Sequence, residues 1–430
     1  MRFVSVVGKS PPVPFRDALF AGLAPDGGLY VPEQLPAVVQ MTASPEVDLP
    51  SVAFDVTSPF IDDIPHEALR RIAASALAFP VPLVRLSPRV HILELFHGPT
   101  LAFKDVGARF MAHTLGFFLE KEQEHLSLIV ATSGDTGSAV AHGFFGVPRI
   151  DVYILYPSGK ISELQEQQMT TLGGNIHAVE VVGTFDDCQR LVKETFRTRA
   201  ITSRKRITTA NSINVGRLIP QIAYYYWAIV QLQSLYQIHD GPTVVVPSGN
   251  FGNLTAAMYA RTMGATIARC VAATNANDVV PRFLLSGHLE TQASVRTYSN
   301  AMDVGDPSNL ARLRHLSGDE TLRRQLLAAS VSDEETLDEM RRTFDETGIV
   351  LDPHTAVGVR VARNTPAPVP VIVPATAHPA KFPEVVRKAL AQSIPTPPVL
   401  AEALNKKKTS IRIDARMDEW TEVVLGSDVH

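Results

Sequence analysis

At 430 residues, with 45% hydrophobic and 20% charged residues, the chain has the composition of a soluble globular protein of two or three domains. A net charge of −4 with short basic runs (Arg204-Lys205-Arg206, Lys406-Lys407-Lys408) argues against a nucleic-acid partner, and no apolar run approaches a membrane span. Cys188 and Cys270 stand far apart and outside any C-x-x-C pattern, so reduced thiols and a cytoplasmic setting are expected; the N-terminus has no apolar stretch of secretory type.

Residues 1 to about 80 read as an N-terminal unit. A helical pattern covers 15–23, a turn and extended stretch 27–32, an irregular stretch 41–60 and a second helical pattern 65–77. Phe79-Pro80-Val81-Pro82 reads as a linker. From there strands and helices alternate: strand 90–95, helix 106–121, strand 128–131, helix to 145, strand 150–155, helix 162–172, strand 176–182 and helix 185–197. A long helix, 218–235, carries Tyr224, Tyr225, Tyr226 and Trp227, a cluster suited to core packing. Strand 243–246, helix 254–263, strand 268–273, helices 321–328 and 334–344, strand 369–373 and helix 382–392 complete the pattern, with Asp352 capping a helix that starts at Pro353. Such alternation predicts parallel sheets with helices on both faces. The tail after Pro398 has no assignable pattern.

Several familiar catalytic patterns are absent. His66-Glu67-Ala68-Leu69-Arg70 lacks the second histidine of a zinc helix, Ser158-Gly159-Lys160-Ile161 is no Walker motif, and no G-x-S-x-G elbow or complete G-x-G-x-x-G occurs. No metal-ligand spacing stands out.

Lys104, in the stretch from His97 to Gly107, is different. It follows Leu101, Ala102 and Phe103. Desolvation there lowers a lysine pKa and frees an amine able to form a Schiff base. The plain alternative is a lysine paired with Asp105 or Glu94. Three polar loops follow strands, where open α/β sheets bind ligands. Ser133-Gly134-Asp135-Thr136-Gly137 suits a carboxylate, or is an N-cap by Ser133 or Asp135. Ser248-Gly249-Asn250-Phe251-Gly252-Asn253 has the small and amide residues of a phosphate cradle ahead of a helix. Thr376 in the third loop presents a hydroxyl to a ligand or caps a helix. Asn211, Ser212 and Arg217 combine amide, hydroxyl and guanidinium groups suited to a second anion, or form a helix-start ion pair.

Taken together, His97-Gly98-Pro99-Thr100, Phe103-Lys104-Asp105, Ser133 to Ala141, Asn211 to Arg217, Pro247 to Leu254 and Thr376 to Phe382 resemble the threonine synthases, enzymes dependent on pyridoxal 5′-phosphate (PLP) with a tryptophan-synthase-β-like fold. The resemblance reaches about residue 395. It implies an α/β protein of PLP fold type II: two open, twisted, mainly parallel sheets flanked by helices, plus an N-terminal unit. The implied division is 1–85, then a smaller domain at 86–205 with the PLP lysine and substrate loop, and a larger one at 206–430 with the cofactor-phosphate loop. By the same resemblance Lys104 carries PLP, Ser248, Gly249, Asn250, Phe251, Gly252 and Asn253 hold its phosphate, and Thr376 faces its ring nitrogen. Ser133, Asp135 and Thr136 would hold the substrate carboxylate and the cofactor's hydroxyl side; Asn211, Ser212 and Arg217 the substrate phosphate. The implied substrate is O-phospho-L-homoserine, converted with water to L-threonine and phosphate without an obligate protein partner. A serine or threonine dehydratase is the nearest rival, but its substrate has no phosphate for Arg217. A silent, ligand-sensing homologue would be expected to lack one of the catalytic loops.

Overall fold

A computed structural model of the chain describes residues 1–38, 47–366 and 370–426. Its strands, in chain order, are β1 (Arg2–Ser5), β2 (Val13–Pro14), β3 (Tyr30–Pro32), β4 (Leu83–Arg85), β5 (Val90–Glu94), β6 (Leu126–Ala131) and β7 (Ile150–Pro157). They continue as β8 (Ile176–Val182), β9 (Ile207–Thr208), β10 (Thr243–Pro247), β11 (Arg269–Thr274), β12 (Leu327–Ser330), β13 (Val371–Ala375) and β14 (Ile411–Asp414).

Three sheets result, ordered β2-β1-β3, β12-β11-β10-β13-β5-β4 and β14-β8-β7-β6-β9. The five-stranded sheet is wholly parallel. The six-stranded one is parallel except at its β4 edge. Their central strands are apolar on both faces, as expected of sheets covered by helices on each side: β10 is Thr-Val-Val-Val-Pro and buried throughout. The largest core joins the N-terminal unit to both sheets through the helices Lys104–Glu122 and Gln221–Tyr236, which carry buried Phe110, Met111, Tyr224 and Tyr225.

Most expected elements are present, and the differences have identifiable causes. The stretch 41–60, expected to be irregular, contains the helix Leu49–Thr57; residues 39–46 lie outside the described residues. Its start is written in the sequence as a capping box, with Asp48 accepting from the Ser51 N–H and Pro50 in the first turn. The helix expected over 321–328 ends at Gln325, and Leu327–Ser330 becomes β12. Pairing with β11, from Val271↔Leu327 to Thr274↔Ser330, overrides the helical preference of Leu and Ala. The late strand runs Val371–Ala375 rather than 369–373, Val369 being outside the described residues.

Sheet pairing crosses the expected divisions at 85 and 205 in four places, two of them the short-range pairs β4 with β5 and β6 with β9. β5, which leads to Lys104, pairs with β13 of the larger sheet, and β14, from the tail, extends the smaller sheet beside β8. Strand-helix alternation reveals the strands, but pairing partners more than 200 residues apart leave no local mark. The tail also forms the helices Pro398–Leu404 and Met417–Gly426. The second of these inserts Trp420, fully buried, against Tyr153 and donates its Nε1–H to Thr195 Oγ1 at 2.7 Å.

Candidate active site

Topology brings the polar loops together. In the larger sheet β10, β13 and β5 are adjacent and parallel, so the loops at their C-terminal ends, holding Ser248–Asn253, Thr376 and Lys104, emerge side by side. In the smaller sheet β6 and β9 are likewise adjacent and parallel, which aligns the Ser133–Gly137 loop with Asn211 and Ser212. Direct contacts join the two sets: Asn250 Nδ2 donates to Ser212 Oγ at 2.6 Å, and Lys381 Nζ pairs with Asp135 Oδ1 at 2.7 Å.

Lys104 opens the helix Lys104–Glu122. The preceding loop is cinched by Asp105, which accepts from the Thr100 N–H at 2.8 Å and the Thr100 hydroxyl at 2.6 Å. Gly98 is required there, because a Cβ would fall 2.5 Å from Asp105 Oδ2. Leu101 takes φ +56° to complete the turn, a conformation that side chains resist. Burial pushes the Asp105 carboxyl up to about 6, against the hydrogen bonds from Thr100.

The Lys104 side chain is half-buried. Loss of hydration drops its pKa from 10.5 to about 8; the Asp135 charge acts upward, and Lys381 and Arg217 act downward. About a tenth of such a lysine is neutral at pH 7, against a few parts in ten thousand for an ordinary one. One turn on, at the helical spacing that shares a face with Lys104, Gly107 lets Arg217 approach: a Cβ there would lie 2.7 Å from the Arg217 carbonyl oxygen and 3.0 Å from its Nε. Arg217 is buried, donates through Nη1 to the Ala210 carbonyl, and leaves Nε without a partner among the described residues. A buried guanidinium with an unmatched donor is suited to an incoming anion.

Two helix N-termini open into this region with no bond from an N-cap side chain, although in the second Thr132 Oγ1 accepts from the Gly137 N–H at 2.9 Å. One is the helix Gly252–Thr262, whose N-cap Phe251 has φ +60°; the other is Asp135–Phe144, whose N-cap Gly134 has φ +148°. Neither Ser133 nor Asp135 makes the capping bond that the plain alternative required. At the first terminus Gly249 packs against the Asn300–Met302 turn so closely that a Cβ would lie 2.6 Å from Met302 Cα. Asn250 is clamped from both ends, its Oδ1 accepting from the Ser308 N–H at 2.6 Å. Asn253 Oδ1 accepts from the hydroxyls of Tyr224 and Tyr225, while the buried Ser248 hydroxyl turns back to the Val246 carbonyl. The Tyr cluster assigned to core packing therefore also anchors the loop. Backbone amides at an uncapped helix start, approached through glycine, fit a phosphate group.

Thr376 is buried. Its carbonyl accepts from the Phe103 N–H at 2.9 Å, its N–H donates to Thr355 Oγ1 at 3.3 Å, and its hydroxyl has no partner among the described residues. Asn211 uses its amide locally, donating to the Ala131 carbonyl and accepting from Thr209 Oγ1, which ties the β9 loop to the end of β6. Ser133 is exposed and Thr136 half-buried at the cleft side of the same loop system.

Four further residues belong to the site and were not singled out in the sequence. Lys381 is fully buried. Gln165 donates to Asp135 at 2.9 Å, and Gln168 donates to the Thr100 carbonyl at 3.4 Å. Arg312, wholly buried, supports the Ser212 loop through the carbonyls of Ser212 and Ile213. Gln165 and Gln168 share a helix face three residues apart, a spacing that was available to read; Arg312 had no such signal.

Comparison with known proteins places three family models along the chain: threonine synthase N terminus over residues 2–77, pyridoxal-phosphate dependent enzyme over 76–373, and threonine synthase, C-terminal, over 355–424. A threonine synthase of Serratia marcescens is 41% identical over 431 residues, covering 99% of both chains. Among solved structures, PLP-bound threonine synthase from Brucella melitensis superposes with a TM-score of 0.92 at 34% identity over 100% of both chains. Threonine synthase from Escherichia coli gives 0.90 at 39% identity, covering 99% of this chain and 100% of that one.

Proposed function

The chain belongs to the threonine synthase family, and we propose that its cleft converts O-phospho-L-homoserine and water to L-threonine and phosphate through the residues described above. It is a PLP-dependent lyase of fold type II. The observation that carries the residue assignment is the convergence of a half-buried, readily neutral lysine with two helix N-termini, the one at Gly252 uncapped, and an unmatched buried guanidinium.

The donor set fits PLP: Lys104 as the amine for its aldehyde, the amides of Gly249 to Asn253 for its phosphate, and the Thr376 hydroxyl for its ring nitrogen. When bound, PLP supplies an electron sink that stabilises negative charge developing on substrate carbon. A hydroxyl at Thr376 does not hold the ring nitrogen protonated as a carboxylate would, which favours elimination chemistry over transamination. This assignment fails if a pyridinium signal is measured.

Lys104 then has a second role. Its neutral amine, beside the bound substrate, would be the base that takes the α-proton and afterwards a β-proton. The N-terminus of the helix at Asp135, with Ser133 and Thr136, receives the substrate carboxylate. Arg217 and Ser212 hold the substrate phosphate and keep it after the γ-carbon bond breaks. Retained there, phosphate is positioned to take a proton from the water that adds at the β-carbon. Asn211 acts by holding the loop in place.

The two thiols are free and buried, which suits a reducing compartment, and we read the enzyme as cytoplasmic. No helix among the described residues is long and apolar enough to cross a membrane.

The deciding experiment mixes the protein with PLP and O-phospho-L-homoserine and measures phosphate and threonine together. Equal release of both is expected. Phosphate accompanied by a ketoacid would mean elimination without hydration, and ketoacid formed from threonine would favour a dehydratase.

A further inference from the structure

Lys381 lies in the loop after β13, outside every role assigned above. Its side chain is 0% exposed. Nζ lies 2.7 Å from Asp135 Oδ1, on the smaller sheet's loop, and 2.8 Å from the carbonyl oxygen of Thr100, four residues before Lys104. One ammonium thus joins three loops. Gln165 Nε2, 2.9 Å from the same Asp135 oxygen, completes the carboxylate's surroundings.

Asp135 lies under the influence of both lysines. Burial favours its neutral acid, but the charges of Lys381 and Lys104 and the hydrogen bonds from Lys381 and Gln165 outweigh that and hold it ionised far below the usual carboxylate range. An ionised carboxylate whose charge reaches Lys104 is a hazard for the chemistry. Paired with it, the Lys104 ammonium would be stabilised and its amine withheld.

We propose that Lys381 is a positioning residue for Lys104: by holding the Asp135 carboxylate in its own salt bridge, it prevents that carboxylate from pairing with Lys104 and leaves the Lys104 amine free to react. The proposal rests on the reading of Lys104 as the cofactor lysine. The charged groups facing Lys104 act in the required directions, Asp135 favouring the ammonium and Lys381 and Arg217 opposing it. Around Lys381 itself stand Asp105, which its charge helps to ionise, and His142 and His378, whose protonation it disfavours. Those two imidazoles are also driven neutral by burial, so Asp135 is the anion that Lys381 contacts.

The test uses the full chain freed of cofactor. It is exposed to PLP across neutral and alkaline pH, trapped with borohydride and analysed for label at Lys104 by mass spectrometry, with circular dichroism to confirm folding. Lys381→Met keeps the length of the side chain and removes its charge. It is expected to move the labelling midpoint up by about one pH unit, slowing labelling at neutral pH roughly tenfold. Asp135→Asn is expected to move the midpoint down. The double variant, Lys381→Met with Asp135→Asn, removes both charges and is expected to return the midpoint close to that of the unsubstituted chain.

A purely structural cross-link would slow labelling in all three variants without moving the midpoint, and that result overturns the proposal. So does a double variant that stays with Lys381→Met. If Lys381→Met does not fold, an unmoved or raised midpoint in Asp135→Asn decides against it. Absence of label at Lys104 in the unsubstituted chain would instead remove the cofactor assignment, and the proposal with it.

Discussion

On the proposed reading, replacing Lys104 with alanine removes both the amine that would receive the cofactor and the base that would move protons. Turnover is expected to fall by about a thousandfold or more, read as phosphate release, while circular dichroism stays native. Arg217 offers a graded test. Arg217→Lys keeps a positive charge but loses the planar fork, and kcat/KM for the phosphorylated substrate is expected to drop about tenfold or more. Unchanged kinetics would place the substrate phosphate elsewhere. Lys104 could be picked out from sequence because its apolar neighbours are adjacent in the chain. Lys381 could not, because Asp135, the partner that explains it, opens a helix that follows a strand of the other sheet.

At the scale of elements, the loop Ser248–Asn253, proposed to hold the cofactor phosphate, depends on a close backbone approach. Gly249→Ala places a Cβ against the backbone of Met302, so the loop must shift away from the Asn300–Met302 turn. Cofactor affinity, measured by absorbance titration, is expected to weaken at least tenfold or so. Retained affinity would show that the turn yields easily. Glycine and asparagine ahead of a helix made this loop legible, as did the similar loop at Ser133 to Gly137. β12 was not legible, since Leu327, Ala328 and Ala329 suit a helix and only β11 makes them a strand.

For the whole molecule, two predictions concern stability. Trp420→Ala empties a fully buried site between the tail helix and the smaller sheet and removes the bond to Thr195, whose hydroxyl keeps only the Leu191 carbonyl. Urea titration is expected to show a loss of about 3–5 kcal/mol. A negligible loss would mean that the tail contributes little to that sheet. The second prediction concerns acid. His91 is fully buried on β5 beside Tyr236. Burial and the Arg85 charge drop its imidazole from 6.5 to about 4, with weak opposition from the Arg89 backbone. Between those values the unfolded chain binds the proton and the folded one does not. Its contribution is therefore complete above 6.5 and is lost as the pH falls towards 4, roughly 3 kcal/mol in all. His91→Leu is expected to flatten the acid limb of the stability profile by that order. Parallel profiles for the two proteins would argue against it.

The sequence by itself determined most of the elements and the polar character of each loop. Strand-helix alternation, the glycine and asparagine turns, and one lysine among apolar neighbours act over a few residues, so they remain visible in one dimension. Only the tertiary structure decided which loops meet. Adjacency of β5, β13 and β10 aligns three of them, and adjacency of β6 and β9 aligns the other two. Strand pairing and buried ion pairs join residues hundreds of positions apart, and their free energy comes from desolvation and packing that no local pattern records. For that reason the tail strand β14, the buried Arg312 and the Lys381–Asp135 bridge belong to the fold rather than to any motif.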